Sequence, residues 1–375
     1  MWPVLLAAQI LYSDIPYHAD SGVDPNLLSL DVYQPENTTD LLPVMVYIHG
    51  GYWNAGDKAN VGQRAKLFTD SGYVFVSINY RLSPDPVDTL SPDAVRFPVH
   101  PEDCARAVRW VYDHIDEYQG DSTRISLIGH SAGAHLALLL STNEAFLEQE
   151  GLALLQIKCT CSLDAGVFDV AEELQQAGSY IPRRAPLINA FGTDPALYDD
   201  ASPQFHLDAG KYLPRLLLVH QNTNDRLHSH YRFRDSLLAN GHLYVSLFNA
   251  APYNHGQINA NLGSPSDSIG ETQEVMAFFE QCLQSYTTAA TVVSDARLSL
   301  RLSPVPAYES ITLSGLSGDF QGTVTVYDVT GRPVFTGHRS GSTFTVPVSH
   351  LVKGIYFLQL SEDRGGISIK KFLKE

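Results

Sequence analysis

Residues 125–140 read ISLIGHSAGAHLALLL. Three of the first four residues are isoleucine or leucine, as in a buried strand, and residues 134–140 are mostly strong helix formers. Between them lies a G-x-S-x-G pattern, in which Gly129 and Gly133 flank Ser131. Small residues at these two positions relieve the clashes of a sharp turn from strand to helix. The stretch therefore predicts a strand–turn–helix unit that holds one serine exposed and strained.

The same alternation of short apolar runs with helical patterns extends from about residue 27 to residue 286. Further strands are predicted at 44–48, 74–78, 216–219 and 243–248, and a further helix at 101–118. Strands that alternate with helices are typical of βαβ units, which build a mostly parallel sheet. The sequence therefore predicts an α/β fold for this region.

Composition and charge narrow the class of protein. The 375 residues are 44% hydrophobic and 18% charged, as in an ordinary globular protein, and the net charge is −16. This charge repels phosphate backbones and anionic lipids, so nucleic acid and an acidic membrane surface are excluded as primary partners. No run approaches the roughly 18 apolar residues of a membrane span, so none is predicted. A neutral small-molecule or carbohydrate-linked substrate fits this charge better.

Three regions follow one another along the chain. Residues 1–286 are predicted to form the α/β domain, and the apolar start, residues 1–10, resembles a clipped signal peptide. Residues 287–298 lack the periodicity of a packed element and are predicted to be a linker. Residues 299–375 alternate in period two between turn residues, which predicts a small C-terminal β-sandwich.

The cysteines predict neither a disulfide scaffold nor a zinc site. There are four of them, Cys104, Cys159, Cys161 and Cys282, and their spacing matches no zinc motif. Four cysteines allow three pairings, and the sequence does not choose among them.

A second glycine motif suggests where a negative charge would be stabilised. Residues 49–53 read HGGYW and directly follow the predicted strand 44–48. Backbone amides at this place in such a fold point to the oxyanion of an acyl-transfer intermediate. We therefore predict that the amides of Gly51, Tyr52 and Ala132 form an oxyanion hole, although HGGYW would also suit an ordinary loop.

A serine hydroxyl needs a base to accept its proton and an acid to orient that base. Asp225 lies in the polar stretch after the predicted strand 216–219, and His255 follows the run 243–248. The order serine, acid, histidine is the order expected for G-x-S-x-G hydrolases. We therefore predict Ser131 as nucleophile, Asp225 as acid and His255 as base.

Other polar residues compete for these roles. Asp164 and Asp169 are alternative acids, but they precede the strand after which the acid is expected. His220, His228 and His230 are rival bases. His228 and His230 have no third ligand at a matching spacing, so no metal is predicted, and no cofactor is required.

Two residues inside the motifs are candidates for the substrate pocket. Trp53 ends the HGGYW segment, which follows the predicted strand 44–48, and could line an acyl pocket. Packing beneath the HGGYW loop is the simpler interpretation. His130 precedes the nucleophile and is expected to act as a hydrogen-bonding support.

Three segments together resemble a known enzyme family. Residues 49–53 (HGGYW), 79–82 (NYRL) and 129–135 (GHSAGAH) are similar to the hormone-sensitive-lipase-like esterases, above all the feruloyl-esterase and kynurenine-formamidase branch. The resemblance implies the α/β-hydrolase fold and supports Ser131, Asp225 and His255 as the triad. One departure is that Asn224 stands where relatives often carry the acid.

The C-terminal region resembles the sorting domain of the type IX secretion system of Bacteroidetes-like bacteria. The resemblance rests on four segments: 303–307 (SPVPA), 326–331 (VYDVTG), 353–356 (KGIY) and 370–374 (KKFLK). It implies that the type IX secretion machinery is a partner and that the protein reaches the cell surface or medium of a Gram-negative bacterium. A generic β-sandwich, such as one that binds carbohydrate, is the alternative interpretation.

These expectations favour a secreted serine esterase that acts on small or plant-polysaccharide-linked esters of the feruloyl or acetyl type. Export favours external material over the intracellular substrate of a kynurenine formamidase. An arylformamidase remains the alternative enzyme, and a catalytically inactive surface binding protein is the alternative from another class.

Overall fold

The computed structural model describes residues 9–36, 38, 40–85, 88, 91, 93–293, 301–303, 307–314, 320–328, 333–362 and 367–374. The chain divides into two compact units, residues 1–282 and 283–375. Most of the predicted signal remnant and residues 294–298 of the predicted linker lie outside the described residues. Residues 287–293 of that linker belong to a helix.

The first unit contains one sheet and its flanking helices. The strands are β1 (Gln9–Pro16), β2 (Ser29–Pro35), β3 (Leu42–Ile48), β4 (Val74–Ile78), β5 (Gly120–His130), β6 (Ile157–Leu163), β7 (Arg215–His220) and β8 (Val245–Asn249). The helices are α1 (Arg64–Asp70), α2 (Val99–His114), α3 (Ala132–Thr142), α4 (Glu144–Gln149), α5 (Val170–Ala177), α6 (Ile181–Phe191), α7 (Asn224–Ala239), α8 (His255–Asn261) and α9 (Glu271–Val293).

The eight strands lie in the order β1-β2-β4-β3-β5-β6-β7-β8. The pairs β1–β2 and β2–β4 are antiparallel, and every other neighbouring pair is parallel. The carboxyl ends of β3, β5, β6, β7 and β8 therefore meet at one edge of the sheet, where ligands bind in open α/β folds.

The fold class predicted from the sequence is confirmed. The predicted strands correspond to β3, β4, β5, β7 and β8, and the two predicted helices correspond to α2, with the short 3-10 turn that follows it, and α3. Strand β6, with the sequence IKCTCSL, was not predicted. It is almost fully buried, but its polar residues interrupt the apolar run that would indicate a buried strand.

Helices cover both faces of the sheet. Val74, Val76 and Ile78 of β4 belong to a large apolar cluster that also includes residues of α2 and α3. The ring of Phe75, which points to the opposite face, stacks 5.7 Å from that of Phe68 on α1. Helix α3 is buried along its whole length, as expected for a helix that is apolar all round.

A disulfide joins Cys159 of β6 to Cys282 of α9 and closes a separation of 123 residues in the sequence. A loop of this size restricts the unfolded chain strongly, and such a bond contributes up to about 5 kcal/mol to stability. Cys104 and Cys161 are buried free thiols. The structure thus selects one pairing from those that the sequence left open.

The second unit is built from two antiparallel sheets. Strands β9 (Arg301–Ser303), β10 (Ser310–Ser314) and β13 (Thr343–Pro347) form one, and strands β11 (Gln321–Asp328), β12 (Pro333–Ser340), β14 (Gly354–Glu362) and β15 (Ile367–Lys374) form the other. One apolar cluster contains residues of both sheets, including Ile311 and Leu313 from the first and Val324, Leu358 and Phe372 from the second. This shared core makes the unit a small β-sandwich, as predicted.

In the part of the chain that the structure describes, no helix is both long enough and apolar enough to cross a lipid bilayer.

Candidate active site

Ser131 occupies the turn between β5 and α3 in a strained conformation. Its φ is 56° and its ψ is −116°, a region that residues with a side chain rarely adopt. The Ser131 amide donates to the carbonyl oxygen of Leu163 at 3.0 Å, and its own carbonyl accepts from the His135 amide at 3.1 Å. These backbone bonds hold the residue in place while its side chain faces a cavity.

The two glycines beside Ser131 are required by close backbone contacts. A Cβ atom at position 129 would lie 2.2 Å from the Gly133 carbonyl oxygen, and one at position 133 would lie 2.1 Å from that of Ile48. Both distances are far inside van der Waals contact. The glycines therefore allow α3 to start directly against the end of β3.

The HGGYW loop lies against this turn. A Cβ at Gly50 would come within 3.1 Å of the Ser131 Cβ. Gly51 and Tyr52 have φ values of 128° and 53°, and the Gly51 carbonyl accepts from the amide of Ala55 at 2.9 Å. The Gly51 carbonyl therefore points into the HGGYW loop.

Within the described part of the chain, the three amides predicted as oxyanion donors have no protein acceptor. Among the described residues, the backbone N–H groups of Gly51, Tyr52 and Ala132 donate to no carbonyl or side chain. All three residues lie next to Ser131, either in sequence or through the loop contact. Free amides beside a nucleophile are suited to receive the charge of a tetrahedral intermediate.

His255 is the first residue of α8, and a carboxylate holds its ring. The Asn254 side chain caps this helix by accepting from the Gln257 amide at 3.0 Å. The Nδ1 atom of His255 lies 2.6 Å from Oδ2 of Asp164. This contact fixes Nδ1 as the protonated nitrogen and leaves Nε2 able to accept a proton.

Asp164 follows β6 directly and is fully buried. Its Oδ1 accepts from the Gln221 amide at 3.1 Å, and its own amide donates to the Val219 carbonyl at 2.8 Å. Burial opposes ionisation, but the hydrogen bond from His255, the nearby Arg226 guanidinium and the Gln221 amide outweigh it and lower the pKa of Asp164. The carboxylate therefore stays ionised beside the imidazole.

Asp225 does not contact His255 in the structure, so the prediction of Asp225 as the acid is corrected. Helix α7 begins at Asn224, and Asp225 is therefore carried on the first turn of a helix instead of in a loop. Its side chain is 69% exposed and pairs with Arg183 at 3.4 Å. The carboxylate in contact with His255 is that of Asp164, which the sequence offered only as an alternative.

His130 contacts His255 through a hydrogen bond and through its ring. Its Nε2 donates to the His255 carbonyl at 3.0 Å, and the centroids of the two rings are 4.5 Å apart. Burial, with the neighbouring His255, lowers the pKa of His130 to about 3, so its ring is neutral near pH 7. His130 thus hydrogen-bonds to His255 and is absent from the cavity lining, so its placement as a candidate for the substrate pocket is corrected.

The cavity above Ser131 has a volume of about 460 Å³. Ser131, Ala132, His255, Tyr52 and Trp53 all line it, so the predicted serine and base meet there with two of the three predicted oxyanion residues, and Gly51 directly precedes Tyr52. Trp53 also packs edge-on against Phe191, with ring centroids 4.9 Å apart. Trp53 is therefore part of the cavity lining and is also packed against α6, while its role as an acyl pocket residue stays a prediction.

Ser131 and His255 share this cavity but are not hydrogen-bonded to each other in the described structure. This bond is often long in a serine hydrolase without substrate and shortens when the substrate binds. Because both side chains face the same cavity, the imidazole can accept the proton of the hydroxyl once this contact forms.

Residues 30–230, more than half of the chain, match the BD-FAE family model. The chain belongs to the BD-FAE family. Residues 301–375 match a second family model, that of the secretion system C-terminal sorting domain. This second match indicates a secreted or cell-surface protein.

The chain is also similar to curated proteins that are named as esterases. Esterase LipQ of Mycobacterium tuberculosis is 35% identical over 141 residues, which are 36% of this chain and 30% of that protein. The matched regions span at most half the length of the curated relatives.

Solved structures share the fold. Esterase B from Lactobacillus rhamnosis superposes with a TM-score of 0.61 at 21% identity, covering 75% of this chain and 88% of that one. A truncated carbohydrate esterase from gut microbiota gives 0.57 at 16% identity and covers 74% and 98%. At these identities the likeness shows the α/β-hydrolase fold alone.

The other histidines considered from the sequence are placed elsewhere in this BD-FAE domain. His220 and His230 are both fully buried, and their ring centroids are 5.2 Å apart. His230 Nδ1 donates to the Arg226 carbonyl at 2.8 Å, whereas His228 lies on the outer side of α7. Among the described residues, no group of three or more histidine, cysteine or acidic side chains could hold a metal ion.

A buried arginine, Arg64 of α1, holds helix α8, the helix that begins with His255. Arg64 donates through Nη1 to the Asn259 side-chain oxygen at 2.8 Å, and its guanidinium lies over the Tyr47 ring at 4.4 Å. The buried Glu271 at the start of α9 interacts electrostatically with Arg64. Within the described structure, neither oxygen of the Glu271 carboxyl has a hydrogen-bond partner.

The stability of this region is expected to depend on pH through Glu271. Burial, reinforced by the charge of Asp267, raises the pKa of Glu271 from 4.5 to about 8. Between these values the folded chain holds a proton that the unfolded chain has released, so stability falls as pH rises from 4.5 to 8. Glu271→Gln should therefore raise the free energy of unfolding at pH 9 by on the order of 2 kcal/mol or more, and Tm with it, and change both little at pH 4.5.

Thermal melts of the wild type and the variant at pH 4.5, 7 and 9 measure this difference. Glu274→Gln removes an exposed carboxylate from the same helix and serves as the control, with no comparable pH-dependent gain expected. Equal Tm values for wild type and Glu271→Gln at pH 9 would contradict the expectation.

Proposed function

We propose that the protein is a serine esterase, with Ser131 as nucleophile, His255 as base and Asp164 as the acid that orients it. His255 Nε2 accepts the Ser131 proton while Oγ attacks the ester carbonyl. The amides of Gly51, Tyr52 and Ala132 stabilise the resulting oxyanion. The imidazolium then protonates the leaving alcohol, and an acyl-enzyme remains. The same histidine activates a water molecule, which releases the acid.

One observation carries this proposal: a buried carboxylate orients the His255 ring beside a strained serine, in a cavity next to free backbone amides. The Asp164–His255 contact is 2.6 Å, and the φ of Ser131 is 56°. A binding protein without catalytic activity would need neither the orienting carboxylate nor the strain at the serine, which costs of order 1–3 kcal/mol.

The substrate is proposed to be a feruloyl or acetyl ester on small molecules or plant polysaccharide. Two features support it. The cavity near Ser131 is small, about 460 Å³, and many of its lining side chains are polar, which suits a short or aromatic acyl group better than a long aliphatic chain. The sorting-domain match is consistent with external material as substrate.

Export is proposed to proceed through the type IX secretion machinery of a Gram-negative bacterium, with the β-sandwich as the recognised element. The match of residues 301–375 to the sorting-domain model supports this.

A substrate panel tests the proposed reaction. The purified full-length protein and Ser131→Ala are assayed on p-nitrophenyl acetate, methyl ferulate and N-formylkynurenine. We expect kcat/KM for at least one ester to exceed that for the formamide by about 10²-fold or more. Faster hydrolysis of N-formylkynurenine would reassign the enzyme as an arylformamidase, and no turnover of any substrate would favour a binding protein.

A further inference from the structure

One wall of the cavity above Ser131 is charged. Arg183 of α6 is its centre: Nε donates to Glu173 of α5 at 2.7 Å, and Nη2 donates to the Gln176 side chain at 3.1 Å. Its Nη1 reaches Oδ2 of Asp225 on α7 at 3.4 Å. We call these four residues, all of which line the cavity, the polar wall.

The polar wall keeps hydrogen-bonding capacity for a ligand. Arg183 is 32% exposed and Asp225 is 69% exposed. The ion pair with Arg183 occupies one oxygen of Asp225, and a carboxylate offers about four lone-pair sites. Asp225 is thus free of any role in orienting His255 and can accept hydrogen bonds from a molecule in the cavity.

A different part of the lining is apolar and adjoins the nucleophile. Trp53, Val167 and Leu187 line the cavity and belong to the same apolar cluster as Ala132, the residue after Ser131. An acyl group bound to Ser131 can pack against these side chains. The alcohol part of the ester is then left to the polar wall.

Two exposed tyrosines border the same cavity. Tyr52 is 59% exposed and Tyr180 is 65% exposed, and both line it. Tyrosine rings offer flat apolar faces with a polar tip, and such faces suit the C–H faces of a sugar ring. Carboxylate and guanidinium groups in turn suit its hydroxyls, the first as acceptor and the second as planar donor.

We propose that Asp225 and Arg183 bind the hydroxyls of a neutral sugar in the alcohol part of the substrate, and so determine specificity. This inference rests on the proposed esterase function. In the cavity lining the acids Glu173 and Asp225 are balanced by Arg183 and Arg226, so no unpaired cation is left for an anionic sugar, and the chain as a whole has a net charge of −16. The net charge disfavours a uronate, so the sugar is uncharged.

The test compares two esters of the same acid. Full-length wild type, Asp225→Ala and Arg183→Gln are assayed on an acetylated neutral xylo-oligosaccharide and on p-nitrophenyl acetate, whose alcohol has no sugar hydroxyls. The ratio of kcat/KM for the sugar ester to that for the p-nitrophenyl ester is expected to fall about tenfold or more in each variant, chiefly through KM.

Matched controls come from an exposed ion pair on α1. Asp70→Ala and Lys66→Gln remove partners that lie 2.7 Å apart and do not line the cavity, so the ratio should not change. Melting curves confirm that each variant is folded, which separates a loss of recognition from a loss of structure.

The outcomes distinguish this inference from the proposed function. An unchanged ratio in both variants overturns the inference, as does a wild type that hydrolyses p-nitrophenyl acetate but not the sugar ester. If an acetylated oligosaccharide that carries a uronate is hydrolysed faster than the neutral one, the inference that the sugar is uncharged is wrong. Absence of activity on all esters, with folded wild type, removes the esterase proposal itself.

Discussion

Ser131→Ala is expected to lower kcat/KM for the best ester by at least about 10⁴-fold, because the variant has no oxygen with which to form an acyl-enzyme. The residual rate would come from the oxyanion amides and from substrate binding alone. The Ser131 side chain makes no capping hydrogen bond to α3, and alanine meets the same strain at a φ of 56°. The variant should therefore fold and melt like the wild type.

Labelling with a fluorophosphonate probe provides a readout independent of substrate choice. The probe should modify the wild type at Ser131 and leave the variant unlabelled. Ser71→Ala, which changes an exposed serine at the end of α1, is the control and should retain both labelling and turnover. Near wild-type turnover by folded Ser131→Ala would remove this residue as the nucleophile.

Asp164→Asn is expected to lower kcat by about 10³- to 10⁴-fold on every ester. An asparagine at this position can present its NH₂ group to the imidazole and stabilise the wrong tautomer, and it cannot balance the charge of the imidazolium. The effect should appear in kcat more than in KM, because the carboxylate acts through His255, which it contacts at 2.6 Å.

Asp103→Asn is the matched control for this change. Asp103 is equally buried and pairs with Arg81 at 2.7 Å, but it does not line the cavity. It should cost stability without a comparable loss of kcat. The loss for Asp225→Asn should be far smaller than that for Asp164→Asn, and the reverse order would restore Asp225 as the acid.

Local sequence was sufficient to predict the elbow around Ser131. The strand, the two glycines and the helix are adjacent in the chain, and each follows from short-range sterics and propensity. The same holds for the HGGYW loop, since its glycines follow directly after a strongly apolar strand. His255, predicted as the base, does line the cavity with Ser131, since it follows the last strand of the sheet.

The acid was predicted wrongly because its identity depends on which side chain reaches across the sheet. Asp164 and Asp225 both follow parallel strands, β6 and β7, and both are acidic residues between Ser131 and His255 in the chain. Two signals favoured Asp164. Asn224 stands at the position where relatives often carry the acid, which counts against an acid in that loop. Asp164 comes directly after a strand that ends in an apolar residue. The polar interior of β6 obscured the second signal.

The sequence by itself determined the alternation of strands and helices, the strained serine between β5 and α3 and the existence of a separate β-sandwich, because backbone geometry and period-two or helical patterning act between neighbours in the chain. Only the tertiary structure decided which carboxylate contacts His255 and which cysteines pair. Both depend on distances between residues roughly ninety or more positions apart, which the packing of the sheet and helices sets and which no local pattern encodes.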